Sequence, residues 1–287
     1  MYRIKHMASA LLIALTIALP LAAQEKFTVD VWPDGFPNTN GRDLTEPYDA
    51  KSGNFKPQLF AYLPPASKAT GRAVVCLPGG SYQHLALDTE GRMWAPFFNE
   101  RGIALFVLTY RMPNGITAVP ETDAMEAIRI LRRNAAKWHL DVHKIGIMGH
   151  SAGGHLCSTV ATHSVGDARP DFQILLYPVI SMDKSITHAL SRSSLLGPNP
   201  TPEVEKAYSN ELQVRPGQAP AIIFTCNDDG AVPPENSIRY YLALQKAGVD
   251  ASLHVYPSGG HGFGVTEGFK YHKQMLEELD AWLAHLK

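Results

Sequence analysis

Past residue 24 the chain alternates between short, continuously apolar runs and longer stretches of helical periodicity. Arg72–Pro78 (RAVVCLP), Gly102–Tyr110 (GIALFVLTY), Lys144–Gly149 (KIGIMG), Phe172–Ile180 (FQILLYPVI), Ala221–Asn227 (AIIFTCN) and Ala251–Pro257 (ASLHVYP) read as strands buried on both faces. Between them, Pro120–Leu140 sets Ala124, Ala127, Ile128 and Leu131 at helical spacing behind a proline suited to a first turn. A helix of small residues is expected from Ala152, a second over Asn236–Gly248 with glycine as its stop, and an amphipathic one over Lys270–Leu286. Strands alternating with helices predict an α/β fold, a mostly parallel central sheet with helices on both faces. In such sheets ligands collect beyond the carboxyl ends of the strands. Ser181–Gln218 departs from the pattern: it has no clear period and is rich in Ser, Pro and Asn. It is expected to be an insertion over the strand ends, forming a wall of the substrate pocket. With no internal repeat or low-complexity linker, residues 24–287 are expected to form one domain.

The first residues change the picture of where the domain works. Arg3, Lys5 and His6 precede MASALLIALTIALPLAAQ, which supplies the basic, apolar and small-residue parts of a secretory signal in order. The apolar stretch is short for a membrane span and Pro20 interrupts its end. Residues 1–23 are therefore expected to be a cleaved signal peptide, and the remainder periplasmic or secreted, with no membrane anchor. Composition excludes other classes. Hydrophobic residues make up 45% and charged residues 18%, enough apolar material for a large core. The 26 basic and 27 acidic residues nearly cancel, with no run of one sign, so nucleic acid is not an expected partner. Cys76, Cys157 and Cys226 are odd in number and each embedded in apolar sequence, the pattern of buried thiols and not of a disulfide framework.

Candidate chemistry begins at GHSAGG, Gly149–Gly154, where Ser151 is the centre of G-x-S-x-G with a strand before it and a helix after. That context requires a sharp, strained turn that lifts the serine hydroxyl above the sheet, and small residues at 149 and 153 let neighbouring chain pass. A serine needs a base to take its proton. Of twelve histidines, His261 in GGHGFG (Gly259–Gly264) follows the last strand at the same sheet edge, with glycines that allow close approach. His254 lies in a strand, His139 and His272 on helices, and His150 and His155 flank the turn; these are expected to be solvated or structurally satisfied. Developing negative charge on an acyl group needs N–H donors. LPGGSYQ (Leu77–Gln83) offers them in a glycine turn after an early strand, and the N–H of Ala152 is the second source. No P-loop lysine accompanies the glycines, which excludes phosphate cradling. The acid that orients the base should follow a strand between Ser151 and His261, which points to Asp228 and Asp229.

Taken together, VWPDGFP, AVVCLPGGSYQHLALDTEGR, GIALFVLTYRMP, IGIMGHSAGGHL, RPDFQILLYPVI, DDGAVPPENS and YPSGGHGFG give a resemblance that covers nearly all of the chain after residue 24. The chain resembles bacterial acetyl esterases and acetylxylan esterases of the α/β-hydrolase superfamily, in the sugar-esterase subgroup of the hormone-sensitive-lipase-like branch. The resemblance implies Ser151 as nucleophile, His261 as base, and the amides of Gly80, Ser81 and Ala152 as oxyanion hole. The family's acid sits in D-x-x-V-P, which reads Asp229–Pro233 here and selects Asp229. Adjacent residues in extended chain point to opposite sides, so Asp228 is expected to bond turn amides instead. Where many relatives have His-Gly-Gly-Gly, this chain has Pro78-Gly79-Gly80-Ser81. Tyr82, His84, Tyr110 and Arg111 are expected to line the substrate pocket, and Trp94 to belong to the core. The implied activity is cofactor-free and metal-free removal of short acyl groups, acetyl foremost, from plant-wall polysaccharides such as xylan. The alternatives are a feruloyl or general short-chain esterase, a prolyl-oligopeptidase-like peptidase, and a non-catalytic carbohydrate-binding relative. The fifty or so residues ahead of the first core strand are too few for the propeller such peptidases carry, and Ser in place of Cys at the turn argues against a dienelactone-type hydrolase.

Overall fold

The structure, a computed structural model, describes residues 25–42 and 55–286; the expected signal peptide lies outside the described residues. Eight strands form one sheet in the order β1-β2-β4-β3-β5-β6-β7-β8. These are β1 (Glu25–Asp30), β2 (Gln58–Leu63), β3 (Ala73–Leu77), β4 (Ala104–Leu108), β5 (Ile145–His150), β6 (Gln173–Leu176), β7 (Ala221–Cys226) and β8 (Ala251–Tyr256). β1 and β2 run antiparallel, and every pair from β4 to β8 is parallel. All six expected strands are present. β6 is shorter than expected because Tyr177 turns to φ 36° and Pro178, which has no N–H, cannot continue the ladder. The antiparallel edge was not legible as strand: β2 alternates buried and half-buried residues over six positions, and β1 lies largely open to solvent.

The helices are α1 (Ala95–Glu100), α2 (Ala118–Arg133), α3 (Ser151–His163), α4 (Ala189–Leu196), α5 (Pro202–Ala207), α6 (Glu235–Lys246) and α7 (His272–His285). They cover both faces, as consecutive residues of β5 demonstrate. A Cβ at Gly149 would lie 2.7 Å from Cys157 of α3, whereas the His150 ring meets Trp94, which leads into α1, at 5.8 Å. Alternation along a strand places these contacts on opposite faces. α7 joins α1 through Arg101 and Asp280 (2.5 Å). At the amino edge of the sheet, Arg72 donates to the Leu283 and Leu286 carbonyls at the end of α7 (2.6 and 3.0 Å). The segment 181–218, expected to lack a period, holds α4 and α5. Both are short, and α5 is begun by Pro202 behind a Thr201 cap, so neither is long enough to show a period.

Chain order outward from β3 to β4, then back past β3 to β5, makes the β3/β5 boundary the point where connections diverge. That boundary is where such sheets open a crevice. One buried ion pair fixes the amino-terminal segment against it. Asp123 of α2 accepts from Arg111 Nη2 (2.8 Å), Arg111 Nε (3.0 Å), the Arg111 N–H (2.9 Å) and Trp32 Nε1 (2.7 Å). Arg111 also donates to Asn38 and lies over the Phe36 ring. Both members of the pair are fully buried. Removing one partner leaves the other charge uncompensated, so Asp123→Ala should lower the unfolding free energy by about 3–5 kcal/mol. Urea denaturation should show this as a lower midpoint at unchanged slope.

Candidate active site

The six parallel strands, β3 to β8, end at one carboxyl edge. Ser151 follows β5 directly, and its backbone sits at φ +51°, the left-handed region that an L-residue enters only under constraint. The glycines on either side explain how the turn closes. A Cβ at Gly153 would lie 2.1 Å from the Leu77 carbonyl oxygen, and one at Gly149 would lie 2.2 Å from the Gly153 oxygen. The first turn of α3 thus rests against the end of β3. The Ser151 carbonyl then accepts from the Val179 N–H (3.0 Å), tying the turn to the chain beyond β6.

Ser151 Oγ lies 2.8 Å from His261 Nε2, and His261 Nδ1 lies 2.7 Å from Asp229 Oδ2. An ionised carboxylate only accepts, so Nδ1 carries the proton and Nε2 is left to accept from the Ser151 hydroxyl. Asp229 is buried at the end of β7, and its Oδ1 accepts from the Ala231 and Val232 amides (both 2.9 Å). Those bonds are the physical content of the D-x-x-V-P spacing. Asp228 points the other way, exposed, and accepts from the Gly260 and Gly259 amides (2.8 and 3.2 Å). These amides hold its carboxyl below the usual carboxylate range. The neighbouring acids therefore grip one loop differently, Asp229 by the imidazole and Asp228 by the backbone beside it.

Across from His261, the β3 loop turns through Gly80 (φ +133°), Ser81 (φ +59°) and Tyr82 (φ +58°). Among the described residues, the amides of Gly80, Ser81 and Ala152 bond to no acceptor. Gly79 lies directly against the serine, since a Cβ there would fall 2.9 Å from that of Ser151. The Gly79 N–H is already engaged with Glu90 (2.8 Å), which leaves the next amides, Gly80 and Ser81, for an oxyanion. A hydroxyl, an imidazole, a carboxylate and spare N–H donors in this arrangement can attack an acyl carbon and hold the resulting negative oxygen.

The residues expected to line the pocket divide. Tyr82 faces a cavity, but its hydroxyl bonds His155 Nδ1 (2.9 Å), whose Nε2 donates to the Tyr208 carbonyl (2.8 Å). Burial pushes His155 down to about 4, so this ring is a neutral anchor. His84 is exposed beside Gly80, whose carbonyl accepts from the His84 N–H (3.1 Å). Tyr110 and Arg111 are corrections: both are fully buried and out of reach of a ligand. Tyr110 donates to the Pro78 carbonyl (2.6 Å), and Arg111 is taken up by Asp123 and Asn38. Trp94 is in the core, as expected, and burial pushes His150 down to about 3, a neutral core histidine.

Sequence reasoning passed over three residues here. His188 caps α4, and burial, followed by the charge of His261, holds it below the ordinary histidine range. Its electrostatic coupling to both His261 and Asp229 brings the insertion to the triad. Glu90 and Tyr177 lie buried between the Gly79 and His261 loops. Neither Glu90 nor Tyr177 showed a sequence signal: Glu90 is one of two acids in the mixed stretch Leu85–Trp94, and Tyr177 is one aromatic in an apolar run.

Similarity to known proteins bears on the family and the fold. The BD-FAE family model matches residues 59–244. The chain is 39% identical over 99% of its length to an acetylxylan esterase of Xylanibacter ruminicola, covering 55% of that protein. It is 35% identical over 86% of its length to an endo-1,4-beta-xylanase B of Butyrivibrio fibrisolvens, covering 39% of that one. It therefore spans about half, or less, of these curated relatives. A solved acetyl ester-xyloside bifunctional hydrolase from Caldicellulosiruptor lactoaceticus superposes with a TM-score of 0.78 at 32% identity, over 94% of this chain and 98% of that one. Sheet order, the turn after β5 and this likeness make the fold that of an α/β-hydrolase. With the family model matched across the core of that fold, the chain belongs to the BD-FAE family.

Proposed function

We propose that the protein is a serine carboxylic ester hydrolase, exported by its amino-terminal signal, that removes acetyl groups from xylan-type polysaccharides. The observation that carries this reading is the continuous Ser151–His261–Asp229 hydrogen-bonded chain facing the amides of Gly80, Ser81 and Ala152. His261 takes the Ser151 proton as Oγ attacks the ester carbonyl, and Asp229 holds the imidazole and stabilises its charged form. The oxyanion is bound by the spare amides, His261 returns the proton to the departing sugar oxygen, and water then attacks the acyl-serine by the same route. The names of the relatives, an acetylxylan esterase and a xylanase, support the substrate class.

A cavity of about 340 Å³ between the oxyanion loop and α4 also supports a sugar leaving group. Asn40, Arg42, Gln83, Asn114, Ser193 and Ser194 line it.

Four outcomes test the reading. Ser151→Ala should abolish hydrolysis of p-nitrophenyl acetate and labelling by a fluorophosphonate; a mutant that keeps most of its activity would exclude Ser151 as nucleophile. Asp229→Asn should cost on the order of 10⁴ in kcat and Asp228→Asn far less, since the latter loses only bracing of the loop. Ser193→Trp, which fills the cavity, should raise KM for an acetylated xylo-oligosaccharide about tenfold while leaving p-nitrophenyl acetate nearly unaffected. For the acyl group, acetate release from native arabinoxylan should exceed ferulate release, and the reverse would favour the feruloyl alternative.

A further inference from the structure

We propose that Glu90 is a positioning residue for ester hydrolysis, its buried carboxyl clamping the oxyanion loop to the loop that carries His261. The proposal rests on the esterase reading above. Glu90 lies in the turn between β3 and α1 and is 5% exposed. One carboxyl oxygen, Oε2, accepts from the Gly79 N–H (2.8 Å). The other, Oε1, accepts from the Tyr177 hydroxyl (2.9 Å), which itself accepts from the Gly264 N–H (2.9 Å). Three residues after His261, the backbone is thus joined to the oxyanion loop through two side chains.

The clamp is reinforced by packing. The Tyr177 ring meets His261 edge-on with centroids 4.8 Å apart, and Phe263 at 4.5 Å. The Val265 N–H reaches the Thr89 carbonyl (3.4 Å), one residue before Glu90. A Cβ at Gly79 would fall 2.6 Å from Glu90 Oε2 and 2.9 Å from Ser151 Cβ, so this peptide is held between acid and nucleophile. Fixing the Gly79 N–H sets the plane of the Pro78–Gly79 peptide, and the Gly79 carbonyl, which accepts from the Ala86 N–H (3.0 Å), fixes the next one, whose N–H is that of Gly80.

A buried carboxyl is costly unless both oxygens are bonded, and an apolar residue of similar size would serve core stability as well. What the acid supplies is two acceptors at a fixed separation, one for each side of the site. Burial pushes its carboxyl up, and the Tyr177 hydroxyl, the Gly79 amide and the nearby His261 and His84 oppose that shift.

Glu90→Gln keeps the shape but offers one acceptor oxygen, so either the Gly79 N–H loses its acceptor or the Tyr177 hydroxyl, already accepting from Gly264, must turn from donor to acceptor. A loosened oxyanion loop weakens transition-state binding more than substrate binding. With p-nitrophenyl acetate, kcat should fall about 30-fold and KM should stay within about twofold. A trifluoromethyl ketone, whose serine adduct presents the same oxyanion, should bind more weakly by a similar factor. Thermal unfolding should separate this from global damage, with Tm within about 5 °C of the parent. A folded variant that keeps kcat within about threefold, or loses activity through KM alone, overturns the proposal. If Glu90→Gln does not fold, Tyr177→Phe, which cuts the bridge at its other end and keeps the ring, decides: kcat near the parent value overturns it. An inactive parent enzyme would sink the esterase reading and this proposal together, whereas an active parent with indifferent variants would sink only the proposal.

Discussion

The left-handed backbone of Ser151 is the constraint on which the rest of the carboxyl edge depends. A single L-residue in that region costs roughly 1–3 kcal/mol, and the cost is met by what surrounds it. β5 and α3 on either side are rigid, the Ser151 carbonyl is bonded to Val179, and the glycines at 149 and 153 allow α3 to press on Leu77. The hydroxyl emerges above the sheet because its backbone has no other way to pass from strand to helix. Ser81 and Tyr82 repeat the arrangement on the facing loop, held by the Gln83–Gly80 turn bond and the Tyr82–His155 contact. Two strained turns, end to end across the β3/β5 boundary, make a rigid floor.

Titratable groups around this floor are sorted by their surroundings more than by their type. His150 and His155 flank the nucleophile but are buried and kept neutral, one against aromatic rings and the other between a hydroxyl and a carbonyl. His261 is partly exposed and, among the described residues, carries the only imidazole that bridges Ser151 and an acid. Asp228 and Asp229 differ by one position and so by one side of the chain. The outward residue binds two amides, and the inward one binds two amides and a ring.

The parallel core was legible because β3 to β7 are buried throughout and read as unbroken apolar runs, whereas the edge strand β8 is only partly buried; the elbow was legible because close packing demands glycine at fixed offsets. Legibility failed where the signal is shared among distant residues. β2 gains its place from pairing with β4, and β1 from pairing with β2, rather than from their own composition. Arg111 and Tyr110 look like pocket residues beside a strand end, and only their partners, Asp123 on α2 and Pro78 just past β3, turn them inward. Glu90 reads as a surface acid until Gly79 and Tyr177 are brought to it.

The Arg72 clamp on the last turn of α7 has a consequence for assembly of larger chains. Arg72 precedes β3, so its bonds to Leu283 and Leu286 park the end of α7 at the amino edge of the sheet, while every group of the candidate site hangs from the opposite edge. Polypeptide joined beyond α7 would leave the domain on the side remote from Ser151. A fused module at that end could bind an insoluble polymer without shadowing the crevice, and the domain would work as a tethered head whose mouth faces away from its leash.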